Sequence, residues 1–327
     1  MSSHRHGARK MMLTPPRQPH DTEPVGQIRC FFAPCLAQKS NTSQNVLLYI
    51  RCTVLAKMRQ GADFWMHSPV YLGNNRLLLT TCYGKKLLSP SEDLSVGVEL
   101  AANGTHESPL TRYFCQQVKP RQVVVELGAH IGYFTILLGQ LIGPTGKLFA
   151  LEPHPRCHAF LLDNLSINYF HDRVQSYRLA AFSRKSRISF YASRRFLGNS
   201  SLQQHNEAYH KHYLDEFDQL EVDAVAVDDL LPPDQSIDFV KVDIEGGEYQ
   251  AFLGMERVLS TQAKNVVFEL NRNMLQADWE PFAQLLCHYR QTFSKRFFVL
   301  NSEGSTVEID LDIVLATGEC PYLIMTD

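Results

Sequence analysis

A chain of 327 residues that is 44% apolar and 20% charged is long enough to bury a core and too long for one minimal module. Its eight cysteines (Cys30, Cys35, Cys52, Cys82, Cys115, Cys157, Cys287 and Cys320) form no C-x-x-C pair. That spacing excludes a structural zinc or small disulfide framework and points to a reducing compartment, the cytoplasm first. The formal charge of −2 divides into +7 over residues 1–60 and −9 over the rest, so the folded part is acidic and nucleic acid is excluded as a partner.

Residues 1–61 mix Arg and His with Pro15, Pro16 and Pro19 and hold only Asp21 and Glu23 as acids. Such a segment reads as a disordered arm, with a mitochondrial or other organelle-targeting segment as the alternative. No run of eighteen apolar residues occurs, and Ile131–Gly146 is broken by Gly132, Gln140 and Gly143, so no transmembrane segment is expected. Structure is expected to begin at residue 62 with a small β-rich lead-in over 62–119. There Val70–Leu72 and Arg76–Thr80 flank Gly73-Asn74-Asn75, which is turn chemistry between apolar runs.

From residue 120 to 327 strand and helix signals alternate, as a mostly parallel sheet with crossover helices on both faces demands. Val123–Leu127, Lys147–Glu152, Gln175–Leu179, Phe239–Asp243 and Val266–Glu269 are short buried runs. Between them Tyr133–Ile142, Pro155–Tyr169, Glu248–Leu259 and Trp279–Gln291 have helical length and spacing. Arg296–Leu300 and Tyr322–Met325 are expected to close the domain as an antiparallel edge pair. The stretch from Ser183 to Leu220 is too long for a simple connection. It is expected to form a lid or a β-hairpin of Arg187–Tyr191 with Leu220–Val225, and His205, His210 and His212 within it have no zinc spacing.

Two strand ends carry the chemistry. Glu126-Leu127-Gly128-Ala129-His130-Ile131-Gly132 joins the first strand to its helix; the glycines remove side chains where a ligand approaches, and Glu126 can bind the ligand's polar groups or order the loop. His130 and Tyr133 break the G-x-G-x-x-G spacing of a dinucleotide site. Glu152, before Pro153, ends the second strand, where an acid can accept both ribose hydroxyls of an adenosine ligand.

Four blocks in order, E-L-G-A-H-I-G-Y-F-T, G-K-L-F-A-L-E-P-H-P, N-L-S-I-N at Asn164–Asn168 and K-V-D-I-E-G-G-E at Lys241–Glu248, resemble the FkbM-type methyltransferases over roughly residues 70–272. The family more often has Asp at the position of Glu126 and Asn at that of His130. The resemblance implies a Rossmann-like class I α/β fold with a seven-stranded sheet and S-adenosyl-L-methionine as cofactor. It also implies O-methylation of a hydroxyl on a small-molecule or glycan-like acceptor. It carries the cofactor onto Glu126, Gly128, Ala129, His130, Gly132, Tyr133, Glu152 and Pro153, and catalysis onto Asp243 and Glu245 with Lys241 beside them. Pairing with Lys241 favours Asp243 as an orienting group over a base, while acids such as Glu245 and Glu248 also suit a helix's first turn without any catalytic role. A Mg²⁺ site from Asp243 and the Glu269-Leu270-Asn271 segment is the weighed variant, and no metal ligand is assigned. The alternatives are an inactive nucleotide-binding regulatory protein and an NAD-dependent oxidoreductase, the latter disfavoured by the missing third glycine.

Overall fold

The computed structural model describes residues 68–317 and 319–327. The arm expected over residues 1–61 and the start expected at residue 62 lie outside the described residues. Val70–Gly73 (β1), Arg76–Thr80 (β2) and Lys86–Pro90 (β3) form an antiparallel sheet in that order. Asn74 and Asn75 sit between β1 and β2 at φ 48° and 57°, the backbone that two-residue hairpin turns require and Asn tolerates. The lead-in does not stay β-rich, because it continues into helices Val96–Asn103 (α1) and Ser108–Gln117 (α2). Pro109 sits in the first turn of α2, and Leu110, Tyr113 and Phe114 recur on one face at i, i+3 and i+4 and are buried.

The main domain follows with Val123–Leu127 (β4), Tyr133–Ile142 (α3), Lys147–Leu151 (β5), Pro155–Asn168 (α4) and Val174–Tyr177 (β6). Ala180–Ala181 (β7), Ser186–Ser193 (β8), Glu207–His212 (α5), Phe217–Val225 (β9) and Val227–Leu230 (α6) come next. Phe239–Val242 (β10), Glu248–Leu253 (α7), Asn265–Glu269 (β11), Arg272–Leu275 (α8) and Trp279–Phe293 (α9) return to the core. Arg296–Leu300 (β12), Thr306–Glu308 (β13), Leu311–Ala316 (α10) and Tyr322–Thr326 (β14) end the chain.

The central sheet has the order β13-β12-β14-β11-β10-β4-β5-β6. From β11 to β6 the strands run parallel, and β14 lies antiparallel between β11 and β12. Seven of these strands are the class I sheet. The eighth, β13, is a three-residue return on β12 whose side chains are all exposed, so no apolar run announced it. The two closing strands do pair antiparallel, but β14 is an interior strand and not part of an edge pair. α7 pauses at Gly254, where a Cβ would lie 1.9 Å from the Phe182 carbonyl oxygen, and helical structure resumes, as a π-helix over Val258–Gln262.

Side-chain alternation on β4 divides the core. Val124 faces the layer of Phe114, Ile136, Leu137 and Leu161, while Val125 and Leu127 face Val240, Phe252, Phe268 and Phe282. These side chains are buried, each stabilising the fold by about 1.5–3 kcal/mol relative to exposure. Glu126, which alternates with Val125, is carried by the same pleat toward α3. The Ser183–Leu220 stretch is largely a hairpin: β8 pairs antiparallel with β9 from Ser186↔Ala224 to Ser193↔Phe217, and β7 adds to β9. Among the described residues no helix is long and apolar enough to cross a membrane.

Candidate active site

After β4 the chain builds outward through β5 and β6, then returns to the other side of β4 as β10. The carboxyl ends of β4 and β10 therefore part at a crevice, the place where open α/β sheets bind ligands. Gly128 ends β4 there at φ +82°, and a Cβ on it would lie 1.7 Å from the Asp243 carbonyl oxygen. No other residue fits. A Cβ on Gly132, at φ +94°, would lie 2.7 Å from Leu161 Cδ1, so its missing side chain makes room for α4 and not for a ligand.

A cavity of about 360 Å³ opens over these strand ends, within the range of small-molecule sites. Of the residues predicted to hold the cofactor, Gly128, His130, Glu152 and Pro153 line it. Glu126, Ala129, Gly132 and Tyr133 do not. Ala129 is buried, and Tyr133 serves the core: its hydroxyl lies 3.1 Å from both Thr105 Oγ1 and Thr111 Oγ1. Asp243 and Glu245 line the cavity, whereas Lys241 lies beneath it, 2% exposed. Three of its lining residues that are not glycine, Glu107, His130 and Glu245, have positive φ (45°, 50° and 53°). Such strain collects at functional sites.

Glu152 is buried, and both its oxygens are engaged by backbone: Oε2 accepts from His130 N–H and Oε1 from His154 N–H, each at 2.7 Å. It thus ties the glycine loop to the end of β5 while keeping further lone pairs for a ligand's hydroxyls. Burial outweighs those two hydrogen bonds and pushes its carboxyl up to about 7. Glu126 is fully buried, accepts from Thr135 Oγ1 at 2.6 Å, and is likewise pushed up to about 7 by burial, against the pull of Lys241. Lys241 sits opposite Glu126 in the β4–β10 register. Its ammonium pairs with Asp243 at 2.9 Å and lies 4.9 Å from the Phe134 ring centroid. Burial would discharge this lysine, yet Asp243, Glu126 and Glu107 raise its pKa.

Carboxyl oxygens of Asp243, Glu245 and Glu269 lie within 4.8 Å of one another, a spacing that can hold a cation. Without one, burial first and mutual repulsion second push Glu269 up to about 8 and raise Glu245 well above its ordinary range. The third oxygen comes from Glu245 and not from Asn271, whose Oδ1 caps α8 by accepting from Met274 N–H at 3.3 Å.

Sequence reasoning missed the far wall. Ser95, Glu99 and His106 from the lead-in and Leu197–Asn199 from the Ser183–Leu220 stretch line the same cavity. His106 Nδ1 lies 2.5 Å from Glu99 Oε2, and its Nε2 lies 3.9 Å from Glu107 Oε1. Asp93, 2% exposed, joins the two segments: it accepts from the backbone N–H of Ser95 (3.1 Å), Gly97 (2.7 Å) and Leu197 (3.1 Å). The Asn164–Asn168 block has a comparable joining role. Asn164 accepts from Leu88 N–H and donates to the Leu88 and Ile131 carbonyls, fastening β3 to the glycine loop. His205 hydrogen-bonds the Asn199 carbonyl at 2.7 Å and stacks on Tyr209, which makes it part of the insertion's own packing.

Comparison with known proteins agrees with this arrangement. The sequence is 29% identical over 181 residues to methyltransferase sdnD of Sordaria araneosa, covering 48% of this chain and 66% of that relative, just under two thirds of its length. Among solved structures, the methyltransferase FkbM of Methylobacillus flagellatus KT is similar with a TM-score of 0.42 and 13% identity, over 70% of this chain and 52% of that one. An O-methyltransferase of Bacillus cereus in complex with SAH gives 0.38 and 13%, over 72% and 82%. The strand order carries the fold without them. Residues 126–297, more than half of the chain, match the family model of the methyltransferase FkbM domain. This span runs from the acid of the glycine loop to β12, and the chain therefore belongs to the FkbM methyltransferase family, with S-adenosyl-L-methionine as its cofactor.

Proposed function

We propose that the protein transfers the methyl group of S-adenosyl-L-methionine to a hydroxyl oxygen of a small-molecule or glycan-like acceptor. The observation that carries this reading is the single cavity with Glu152 on one rim and Asp243 on the other. Glu152 is placed to accept the ribose hydroxyls, Gly128 and His130 border the methionine end, and Asp243, held by Lys241, orients the reacting groups. Methyl transfer from a sulfonium needs little covalent help; it needs the acceptor oxygen held in line and its proton removed. Among the described residues no Lys or Arg lines the cavity, whereas Glu99, Glu107, Glu152, Asp243, Glu245 and Glu269 do, which favours neutral hydroxyl acceptors over anionic ones. Cys157, Cys287 and Cys320 are thiols, in keeping with a cytoplasmic location.

Calorimetric titration with S-adenosylmethionine, S-adenosylhomocysteine and NAD⁺ tests the donor site. The first two are expected to bind and NAD⁺ is not. Glu152→Ala should weaken S-adenosylhomocysteine by about 10²-fold, from two lost charge-assisted hydrogen bonds of ~1.5 kcal/mol each, with circular dichroism checking that the variant folds. Tritiated methyl transfer into catechol, methyl glucoside, myo-inositol and a sterol then tests the acceptor class. Binding of NAD⁺ alone overturns the reading, and cofactor binding without transfer to any hydroxyl favours the regulatory alternative.

A further inference from the structure

We propose that His106, oriented by Glu99, is the base that takes the acceptor's proton, a role that rests on reading this cavity as the methyl-transfer site. Thr105-His106-Glu107 joins α1 to α2, and the left-handed turn at Glu107 is followed at once by the Pro109-containing first turn of α2. Thr111 Oγ1 fixes the loop by donating to the His106 carbonyl at 2.8 Å. The ring packs edge-on to Tyr133, with 6.0 Å between centroids, and lies 6.2 Å from Phe134. Its Nδ1 is held at 2.5 Å by Glu99 Oε2, so Nδ1 carries the hydrogen and Nε2 is the basic nitrogen. His106 lines the cavity, with Nε2 3.9 Å from Glu107 Oε1, and a ring oriented by a carboxylate on one nitrogen so that the other can take a proton is the arrangement that activates hydroxyl nucleophiles.

Three other groups that line the cavity, Asp243, Glu152 and His130, are less suited. Asp243 is paired with the Lys241 ammonium, and Glu152 is taken by the ribose hydroxyls in the proposed donor pose. His130 is pushed down to about 4 by burial and has neither ring nitrogen partnered, so it is a weak base. Burial also pulls His106 down, but the hydrogen bond to Glu99 and the charges of Glu107 and Asp243 reverse this and raise it above 6.5. These carboxylates, with His130 of the glycine loop and Tyr133 on α3, are the titratable groups around the ring. In the reaction the acceptor O–H gives its proton to Nε2 while the oxygen forms a bond to the methyl carbon. The carbon–sulfur bond breaks, its electron pair stays on sulfur, and the methyl ether, S-adenosylhomocysteine and an imidazolium paired with Glu99 result. The proton then passes to solvent.

The test uses the full chain, His106→Gln and Glu99→Gln. All three should bind S-adenosylhomocysteine equally by calorimetry. With the panel hydroxyl that turns over fastest, His106→Gln should lose about 10²–10⁴-fold in kcat with little change in KM. Wild-type kcat should fall as pH drops through the His106 pKa, above 6.5. Glu99→Gln removes what raises that pKa, so its acid limb should move to lower pH. Nitrogen-15 spectra of the S-adenosylhomocysteine complex decide independently of turnover, with a ring whose pKa lies above 6.5 and shifts downward in Glu99→Gln expected. A ring that stays doubly protonated beyond about pH 9, or an undiminished kcat in His106→Gln, overturns the proposal. Failure of the wild type to bind S-adenosylhomocysteine instead overturns the reading of the cavity beneath it.

Discussion

The two halves of the cavity are built differently. The donor half is made of turns that immediately follow β4 and β5, held by backbone hydrogen bonds to Glu152 and by the close approach of Gly128 to Asp243. The opposite half, which the proposed reaction gives to the acceptor, is assembled from segments far apart in sequence, α1 with its following loop and the Leu197–Asn199 turn, which meet through Asp93 and Ser95. Rigid sheet ends suit a cofactor whose shape is fixed, and joined loops suit a wall that selects acceptors. Substitutions should therefore break the donor half globally and the acceptor half locally.

The largest effect is expected at Gly128. Alanine there must fit a Cβ 1.7 Å from the Asp243 carbonyl oxygen at φ +82°, so β4 and β10 must separate. Gly128→Ala is expected to cost at least about 4 kcal/mol and to abolish S-adenosylmethionine binding, as read by denaturant unfolding and calorimetry. Asp93→Ala should do less and do it elsewhere. It removes the acceptor of the Ser95, Gly97 and Leu197 N–H groups, at about 1–3 kcal/mol for each one that water does not reach. Hydrogen exchange should rise in 94–98 and 194–200 while β4, β5 and β10 stay protected. If protection falls across the sheet as well, the two halves are one cooperative unit and the contrast fails.

The same contrast explains what was legible in the sequence. Strand, acid and glycine turn are neighbours in the chain, so Glu126–Gly132 and Leu148–Pro153 announced the crevice, and the alternation of elements announced the parallel sheet. Yet proximity in sequence does not say which way a side chain faces. Glu126 and Gly132 belong to the motif but point at Thr135 and Leu161. His106 and Glu99 carry no motif spacing; their pairing is local to α1 and its following loop, and only the fold brings that loop to the cavity. Asp93 belongs to no motif, and only the arrival of Leu197 gives it its second segment to hold. The weak point was equally physical in the fold: β13 is three exposed residues, and nothing in its composition distinguishes it from loop.

Smaller and spread over both halves is the response to pH. Burial pushes Glu126, Glu152 and Glu248 up from 4.5 to about 7 and Glu269 to about 8. Their folded forms hold protons that the unfolded chain releases, so the stability they add is complete below 4.5 and is lost as pH rises through about 7 to 8. His130 and His154 run the other way. Burial pushes them down from 6.5 to about 4, so their contribution is present above 6.5 and lost as pH falls through about 4. The two sets oppose each other below 6.5; above it the carboxyls still change, and His106, whose pKa is raised above 6.5, loses its contribution in the same direction. The melting temperature of the ligand-free protein should thus fall between about pH 6.5 and 8. Glu248→Gln sharpens the test, since its amide oxygen can still accept the Ile244 N–H that Oε1 accepts at 3.3 Å and cannot ionise. That variant should melt higher than the wild type at the alkaline end and the same at the acid end. A melting temperature that instead climbs with pH across this interval would mean that these carboxyls reach water or a counter-cation in the folded protein.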